Sequence, residues 1–391
     1  MPWEIDTTAT TRFLSDLVHI NSINPDLSPG GPGEGEAAAW LAGVCRELGL
    51  EVRLQETAPG RPNVIARWPG TGEGRSLLLT GHTDVVSVDH MTIAPFEPRI
   101  EAGRMYGRGT LDMKGGLAAI LGAVEALRRG GFQPAGDLIL GFVTDEEYVS
   151  IGTEALVQVV HADAAILTEP TDARICTAHR GYAWLTLQTT GRAAHGSLYD
   201  VGVDAIAHMG RLLAEMERLE REVLPRRTHP LLGRASVHAS RIAGGIGWST
   251  YADGCRLEIE HRLLPGEAGA GVVAIWEEAI ARLHDADPDF SAAVTLNFER
   301  PGYEIASDAA VVRAVREAYR SAVGREPAIM GMRAWLDSAI LGAAGIPTVI
   351  LGPGGEGMHA AVEYVNLDDV FLCAAVIAEA AARWAGQAAD S

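Results

Sequence analysis

Leu138-Ile-Leu-Gly-Phe-Val-Thr-Asp-Glu-Glu147 joins an apolar run of strand length to two adjacent carboxylates. At the mouth of a buried strand, Glu146 and Glu147 would repel each other and lose solvation. They need a compensating positive charge, and a metal ion is the usual one. The arrangement recurs along the chain. Ser76-Leu-Leu-Leu-Thr80 runs into Gly81-His-Thr-Asp84, Ala164-Ala-Ile-Leu167 into Thr168-Glu169, and Pro347-Thr-Val-Ile-Leu351 into a glycine-rich loop ending at His359. Four short apolar runs, each followed by His, Asp or Glu, point to one site. In open α/β sheets, ligands bind outside the carboxyl ends of the strands. The reading is a metal-dependent enzyme.

Around these runs, strands alternate with helices, which predicts an α/β fold with a mostly parallel, helix-covered sheet. Helices are expected near 7–20, 36–48, 117–129 and 153–160, and strands near 51–55, 63–68, 77–80, 138–143 and 164–167. The style changes at Gly181. A longer run, Tyr182–Thr189, precedes a helix near 204–222. Cys255-Arg-Leu-Glu-Ile-Glu-His-Arg262 then alternates apolar with charged residues, the pattern of a sheet wet on one face. A helix near 272–284 and a strand near 292–298 complete a small α+β unit. The α/β style returns with a helix near 309–323 and the strand at 348–351. The expected organisation is a larger α/β domain over 1–180 and 298–391, with a small α+β domain inserted over 181–297.

Composition limits the partners. With 391 residues and 47% hydrophobic content, the chain can bury a large core. A net charge of −19 argues against nucleic acid or an anionic membrane, both of which select basic patches. No apolar stretch reaches the ~18 residues of a membrane-spanning helix. The first residues, Met1-Pro-Trp-Glu-Ile-Asp6, lack the basic-then-apolar plan of a signal peptide. Cys45, Cys176, Cys255 and Cys373 are scattered among apolar neighbours with no CxxC pair, and they read as reduced core residues. A cytoplasmic enzyme is expected.

His82 and Asp84 are spaced so that on extended backbone both point the same way. The imidazole can bind metal while Asp84 accepts a hydrogen bond from its other ring nitrogen and fixes its orientation. Asp112 lies just before a helix. Glu146 and Glu147, if extended, point in opposite directions, so that one can bind metal and the other face the substrate water. Glu169 and His359 supply two further ligands. Each group taken singly has an ordinary explanation: a loop histidine, a solvated Glu-Glu pair, a helix cap at Asp112, a turn at Glu169-Pro170. Their common position at strand or helix ends favours the shared site.

These strings carry a resemblance. Gly81-His-Thr-Asp-Val-Val86, Gly107-Arg-Gly-Thr-Leu-Asp-Met-Lys-Gly-Gly116, Thr144-Asp-Glu-Glu147, Thr168-Glu-Pro170, Gly191-Arg-Ala-Ala-His-Gly-Ser197 and Gly357-Met-His359 together resemble the M20 metallopeptidase family. That family includes acetylornithine deacetylase, succinyl-diaminopimelate desuccinylase, aminoacylase-1 and glutamate carboxypeptidase. The resemblance runs from Asn24-Pro25 to the final helix. It implies a catalytic α/β domain with an inserted dimerisation lid, and a homodimer formed through that lid. It assigns His82 and Glu169 to one metal, Glu147 and His359 to a second, and Asp112 to the bridge between them. Glu146 becomes the general base and Asp84 the residue that orients His82. It also implies a cis peptide bond between Asp112 and Met113. Imidazoles and carboxylates without thiolate suit two divalent ions, zinc first, with cobalt or manganese as alternatives. The expected reaction is hydrolysis of the amide bond of an N-acyl amino acid through a metal-bridging water.

The resemblance carries two lid residues as well. His195 would reach the active site across the dimer and stabilise the oxyanion, and Arg262 would hold the substrate carboxylate with its planar fork. Each has a plain surface reading beside it. The chain also departs from its relatives. Ile246–Tyr251 contains no Asn, Leu336-Asp337 replaces Thr-Asp, and Arg192 stands where Lys is common. Two other readings stay open: a dipeptidase or carboxypeptidase using the same site, and a catalytically silent metal- or amino-acid-binding protein. The intact Glu146 weighs against the silent one.

Overall fold

A computed structural model describes residues 3–386; Met1 and Pro2, at the head of the segment read above for a signal sequence, lie outside them. The chain divides into two compact units. The larger comprises 1–177, 305–330 and 336–391, and the smaller comprises 178–304 and 331–335.

In the larger unit the sheet order is Glu51–Ala58, Arg61–Trp68, Leu138–Val143, Leu77–His82, Ala164–Leu167, Thr348–Ile350, Ile175–His179. The four middle strands are parallel, and the flanking pairs are antiparallel. Leu77–His82 and Leu138–Val143 are buried at every position, as parallel strands covered on both faces must be. Helices Gly115–Arg129, Thr7–His19, Leu367–Ala385 and Ala310–Val323 pack against one another in one layer. Ile65, Leu78, Ile139, Val143, Ala165 and Leu341 form a separate cluster with Leu156 of the helix Ile151–Leu156.

Register is what positions the site. His82 is paired with Val143, Thr80 with Leu167, and Ile350 with Leu167. The carboxyl ends of the middle strands therefore stop at one level, and the residues that follow them, Thr83-Asp84, Thr144–Glu147 and Thr168-Glu169, emerge along one edge. The helix Gly115–Arg129 fits closely beneath. A Cβ at Gly116 would lie 2.2 Å from the Thr168 carbonyl oxygen, beside Glu169.

The smaller unit is an antiparallel sheet ordered Ser236–Gly244, Gly254–Leu263, Gly181–Thr190, Ser291–Arg300. Leu257, Ile259, His261 and Leu263 are buried, while Glu258, Glu260 and Arg262 between them are partly exposed. Helices Ala205–Arg218 and Gly269–Ala286 cover the buried face through Met209, Leu212, Val272 and Trp276. The first of these α-helices ends at Arg218, short of the expected 222, and a wider turn carries the chain on to Val223. The strand Ser236–Gly244 was not anticipated. It lies at the sheet's edge with only Val237 buried, so it lacks the apolar run that marks an interior strand. All four cysteines are buried and unpaired, as expected.

Two glycines make the packing testable. Gly116→Ala should destabilise by ~1–3 kcal/mol, because a methyl group there meets backbone that cannot yield easily. Gly43, inside the helix Gly35–Glu47, has open space around the position of a Cβ. Gly43→Ala should therefore stabilise by ~0.5–1 kcal/mol through the unfolded chain and helix propensity. Urea unfolding of the two variants should give opposite signs.

Candidate metal centre

Asp112 follows Leu111 in a buried turn, and its peptide bond to Met113 is cis. Its Oδ1 lies 3.1 Å from His82 Nε2 and its Oδ2 3.1 Å from His359 Nε2. One carboxylate thus faces two imidazoles, each offering a ring nitrogen to a different oxygen. Glu169 Oε1 lies 3.7 Å from His82 Nε2, and Glu147 Oε2 lies 3.1 Å from His359 Nε2. The donor atoms of His82, Asp112 and Glu169 fall within 4.8 Å of one another, as do those of Asp112, Glu147 and His359. Two triads share Asp112.

Glu146 stands beside the first triad, with Oε2 3.9 Å from His82 Nε2. Glu146 and Glu147 do not lie on extended backbone, contrary to the condition assumed from the sequence. Asp145 takes a positive φ of 67° and the pair sits in a turn. The side chains still diverge, Glu147 toward His359 and Glu146 toward His82.

Asp84 does more than the sequence suggested. The nearest partner of His82 Nδ1 is the Asp84 backbone oxygen at 3.0 Å, with the carboxylate Oδ1 at 3.4 Å. The carboxylate is engaged elsewhere: Oδ1 accepts the backbone N–H of Glu146 and Oδ2 that of Glu147, both at 3.1 Å. Asp84 therefore holds the backbone of both glutamates. Asn24 Nδ2 steadies Asp84 in turn, donating to Asp84 Oδ2 at 2.8 Å and to Asp145 Oδ1 at 2.9 Å. Arg61, 5% exposed, donates to Asp145 at 2.9 Å, binds Glu34 with two nitrogens at 2.6 and 2.7 Å, and also pairs with Asp26. Sequence reading missed Asn24, Glu34, Arg61 and Asp145. Only the Asn24-Pro25 and Thr144–Glu147 strings gave a signal for any of them.

Electrostatics within the cluster are unfavourable without a cation. Burial pushes the Glu146 carboxyl well above the usual carboxylate range; Glu169 adds to this, His82 opposes it and Asp337 adds again. Burial also raises Glu169, against His82. Burial and the charge of Asp112 lift Glu147 to about 7. Asp337 is lifted to about 6 by burial, against a 2.5 Å hydrogen bond from Thr153. Hydrogen bonds to Asp112 and Glu147 hold His359 up to about 10. Among the described residues, no lysine or arginine pairs with Asp112, Glu146, Glu147 or Glu169. Glu169 Oε1 is buried with no hydrogen-bond partner. An orphaned carboxylate oxygen, a shared aspartate and two imidazoles fit divalent cations of the zinc, cobalt or manganese type.

His195 and Arg262 belong to the smaller unit. His195 is exposed, with Nδ1 2.8 Å from Ser197 Oγ and a bridge to Thr250. Arg262 pairs with Glu260 through Nε at 2.7 Å and lies 5.4 Å over the Tyr182 ring.

An α/β unit that gathers two His-carboxylate triads around one aspartate at its strand ends defines a class, the hydrolases built for a pair of cations. The chain belongs to peptidase family M20/M25/M40, whose family model matches residues 78–383. It is 30% identical over 386 residues to an acetylornithine deacetylase of Myxococcus xanthus, covering 97% of this chain and 98% of the relative. It is 29% identical over 377 residues to an N-formyl-4-amino-5-aminomethyl-2-methylpyrimidine deformylase of Bacillus subtilis, covering 88% of each. Among solved structures it resembles a dinuclear metal binding peptidase of the M20 family from Bacillus subtilis, with a TM-score of 0.75, 16% identity and coverage of 97% and 98%. The protein is a metal-dependent hydrolase of amide bonds.

Metal uptake should release protons. His359 keeps its proton to about 10 in the metal-free protein, and a ligand must give it up. Because this folded pKa is raised, the stability it contributes is full below the ordinary value of 6.5 and is lost as pH rises through about 10. The metal-free protein should weaken across that window. Calorimetry near pH 8 in buffers of different ionisation enthalpy should show about one or more protons leaving as metal binds. Buffer-independent heats would show that His359 carries none.

Proposed function

We propose that the chain is a deacylase that hydrolyses the amide bond of N-acyl amino acids with two divalent ions, zinc first and cobalt or manganese as alternatives. The observation that carries this is Asp112, whose two oxygens face the imidazoles of His82 and His359 at 3.1 Å each. In this reading His82 and Glu169 would hold one ion and Glu147 and His359 the other, with Asp112 available to both. When bound, such ions lower the pKa of a water and polarise a carbonyl oxygen.

The chain's own residues supply the rest. Glu146 accepts a proton from the attacking water at its carboxylate. As the carbon–nitrogen bond breaks, it returns that proton to the leaving amine nitrogen. Asp84 keeps Glu146 and Glu147 in place through their N–H groups and sets the His82 ring through its carbonyl. The family resemblance gives His195 the oxyanion and Arg262 the substrate carboxylate.

The acyl-amide substrate is supported by the two relatives at 29–30% identity, a deacetylase and a deformylase. The reading includes a homodimer through the smaller unit. Its edge strand Ser236–Gly244 is largely exposed, with Ile242 at 55%, and Trp248 beyond it is fully exposed. Unpaired edges of this kind need cover. It also includes the cytoplasm, where buried thiols stay reduced, and small substrates in place of nucleic acid or membrane. Assaying N-acetyl, N-succinyl, N-formyl and N-carbamoyl amino acids beside dipeptides, with each metal, tests the substrate class. Faster turnover of dipeptides would replace deacylase with peptidase, and no turnover of any would contradict the N-acyl amino acid reading.

Glu146→Gln should keep metal content near normal while turnover falls by ~10²–10⁴-fold or more, since the proton acceptor alone is lost. Normal turnover with full metal would remove Glu146 from the base role.

The dimer has its own test. Glu146→Gln and His195→Ala proteins, each inactive, should regain activity on subunit exchange, because a mixed dimer holds one site with both groups intact. Demonstrated exchange without activity would place His195 in its own chain's site or outside catalysis.

A further inference from the structure

Glu363 stands four residues beyond His359, with its side chain 1% exposed. Its Oε1 accepts the backbone N–H groups of Leu111 at 2.9 Å and Asp112 at 3.1 Å. Its Oε2 accepts the N–H of Gly109 at 3.1 Å and Nη1 of Arg108 at 2.6 Å. One carboxylate thus takes four donors from a single loop, Arg108 to Asp112, whose last residue sits between the two imidazoles. Two further bonds run the same way, from the loop to the segment that follows His359. Gly107 N–H donates to the Glu363 backbone oxygen at 3.1 Å, and Arg108 Nη2 donates to the Ala360 oxygen at 3.3 Å. His359 itself has a half-exposed side chain and a positive φ of 58°. It stands on a loop, and Glu363 and Arg108 fasten that loop to the Asp112 loop, next to the antiparallel pairing of Tyr364–Asn366 with Arg104–Tyr106.

Only an acceptor with two oxygens can satisfy this set. A carboxylate offers about four lone-pair sites and no donor, whereas an amide would aim its NH₂ group at two of the N–H donors. A side chain that touches neither atom thus helps to set the separation of Asp112 Oδ2 from His359 Nε2.

We infer that Glu363 is a positioning residue for the second metal ion. By clamping the Arg108–Asp112 loop to the segment that carries His359, it assembles the Asp112–Glu147–His359 triad. His82 and Glu169 need it less, because they stand at the ends of paired strands. The inference rests on the two-ion reading of the site.

Metal-free protein titrated with cobalt(II), by calorimetry and visible absorption, tests it. Wild type should show two binding events, and His359→Ala should identify the second by losing it; a wild type with fewer than two would sink the two-ion reading itself. In Glu363→Gln the second event should weaken about 10–100-fold, the usual effect of removing a partner behind a ligand. The first event should change much less, and the visible bands of the second equivalent should shift. Arg108→Gln, which leaves the three backbone N–H bonds to Glu363 in place, should keep most of the second-site affinity. If Glu363→Gln does not fold, Glu363→Asp takes its place with the same expected loss, since its carboxylate is one methylene short of the loop. A folded Glu363 variant that binds both equivalents as wild type does would overturn the inference. So would an Arg108→Gln loss equal to that of Glu363→Gln, because the buried ion pair and not the backbone clamp would then be at work.

Discussion

Repulsion among buried carboxylates is the constraint on which the rest of this structure depends. Asp84, Asp112, Glu146, Glu147, Glu169 and Asp337 converge around two imidazoles. Stripping several ionised carboxylates of water costs several kcal/mol each unless opposite charge is supplied. Protons can supply it in part, as the raised positions of Glu146, Glu147, Glu169 and His359 indicate. Divalent cations supply it fully, and they leave Glu146 free to act on protons.

The scaffold meets this constraint by separating the duties. Backbone register brings the ends of four parallel strands to one level, so the side chains reach the site from short, rigid exits. Asp84 then spends its carboxylate on the N–H groups of Glu146 and Glu147. Its own charge is shared with Asn24, and the charge of Asp145 is met by Arg61. A buried arginine balanced by Glu34 and Asp145 is costly to assemble and costlier to break, which suits a device that must hold a turn in one geometry. The amide hydrolase chemistry sits on this frame.

Much of this was legible in the chain itself. Leu138–Val143 and Ala164–Leu167 form strands with the expected bounds, because fully buried parallel strands read as unbroken apolar runs. His82, Glu147, Glu169 and His359 were legible because each follows such a run, whereas Asp112 and the grouping into triads came from the family resemblance. Ser236–Gly244 was not, since an exposed edge strand has no apolar signature. Arg61, Glu34 and Glu363 were missed for a different reason. Their partners lie 27 to 255 residues away in sequence, and nothing local distinguishes a charged residue that will be buried from one that stays in water. The extended geometry assumed for Glu146–Glu147 failed because the positive φ at Asp145 turns the chain first.

Anomalous diffraction from zinc-loaded crystals tests the central claim most directly. The account predicts two peaks flanking Asp112, about 3.5–4 Å apart as in two-metal sites generally, one against His82 and Glu169 and the other against Glu147 and His359. A single peak, or two peaks neither of which is bound by Asp112, would contradict it.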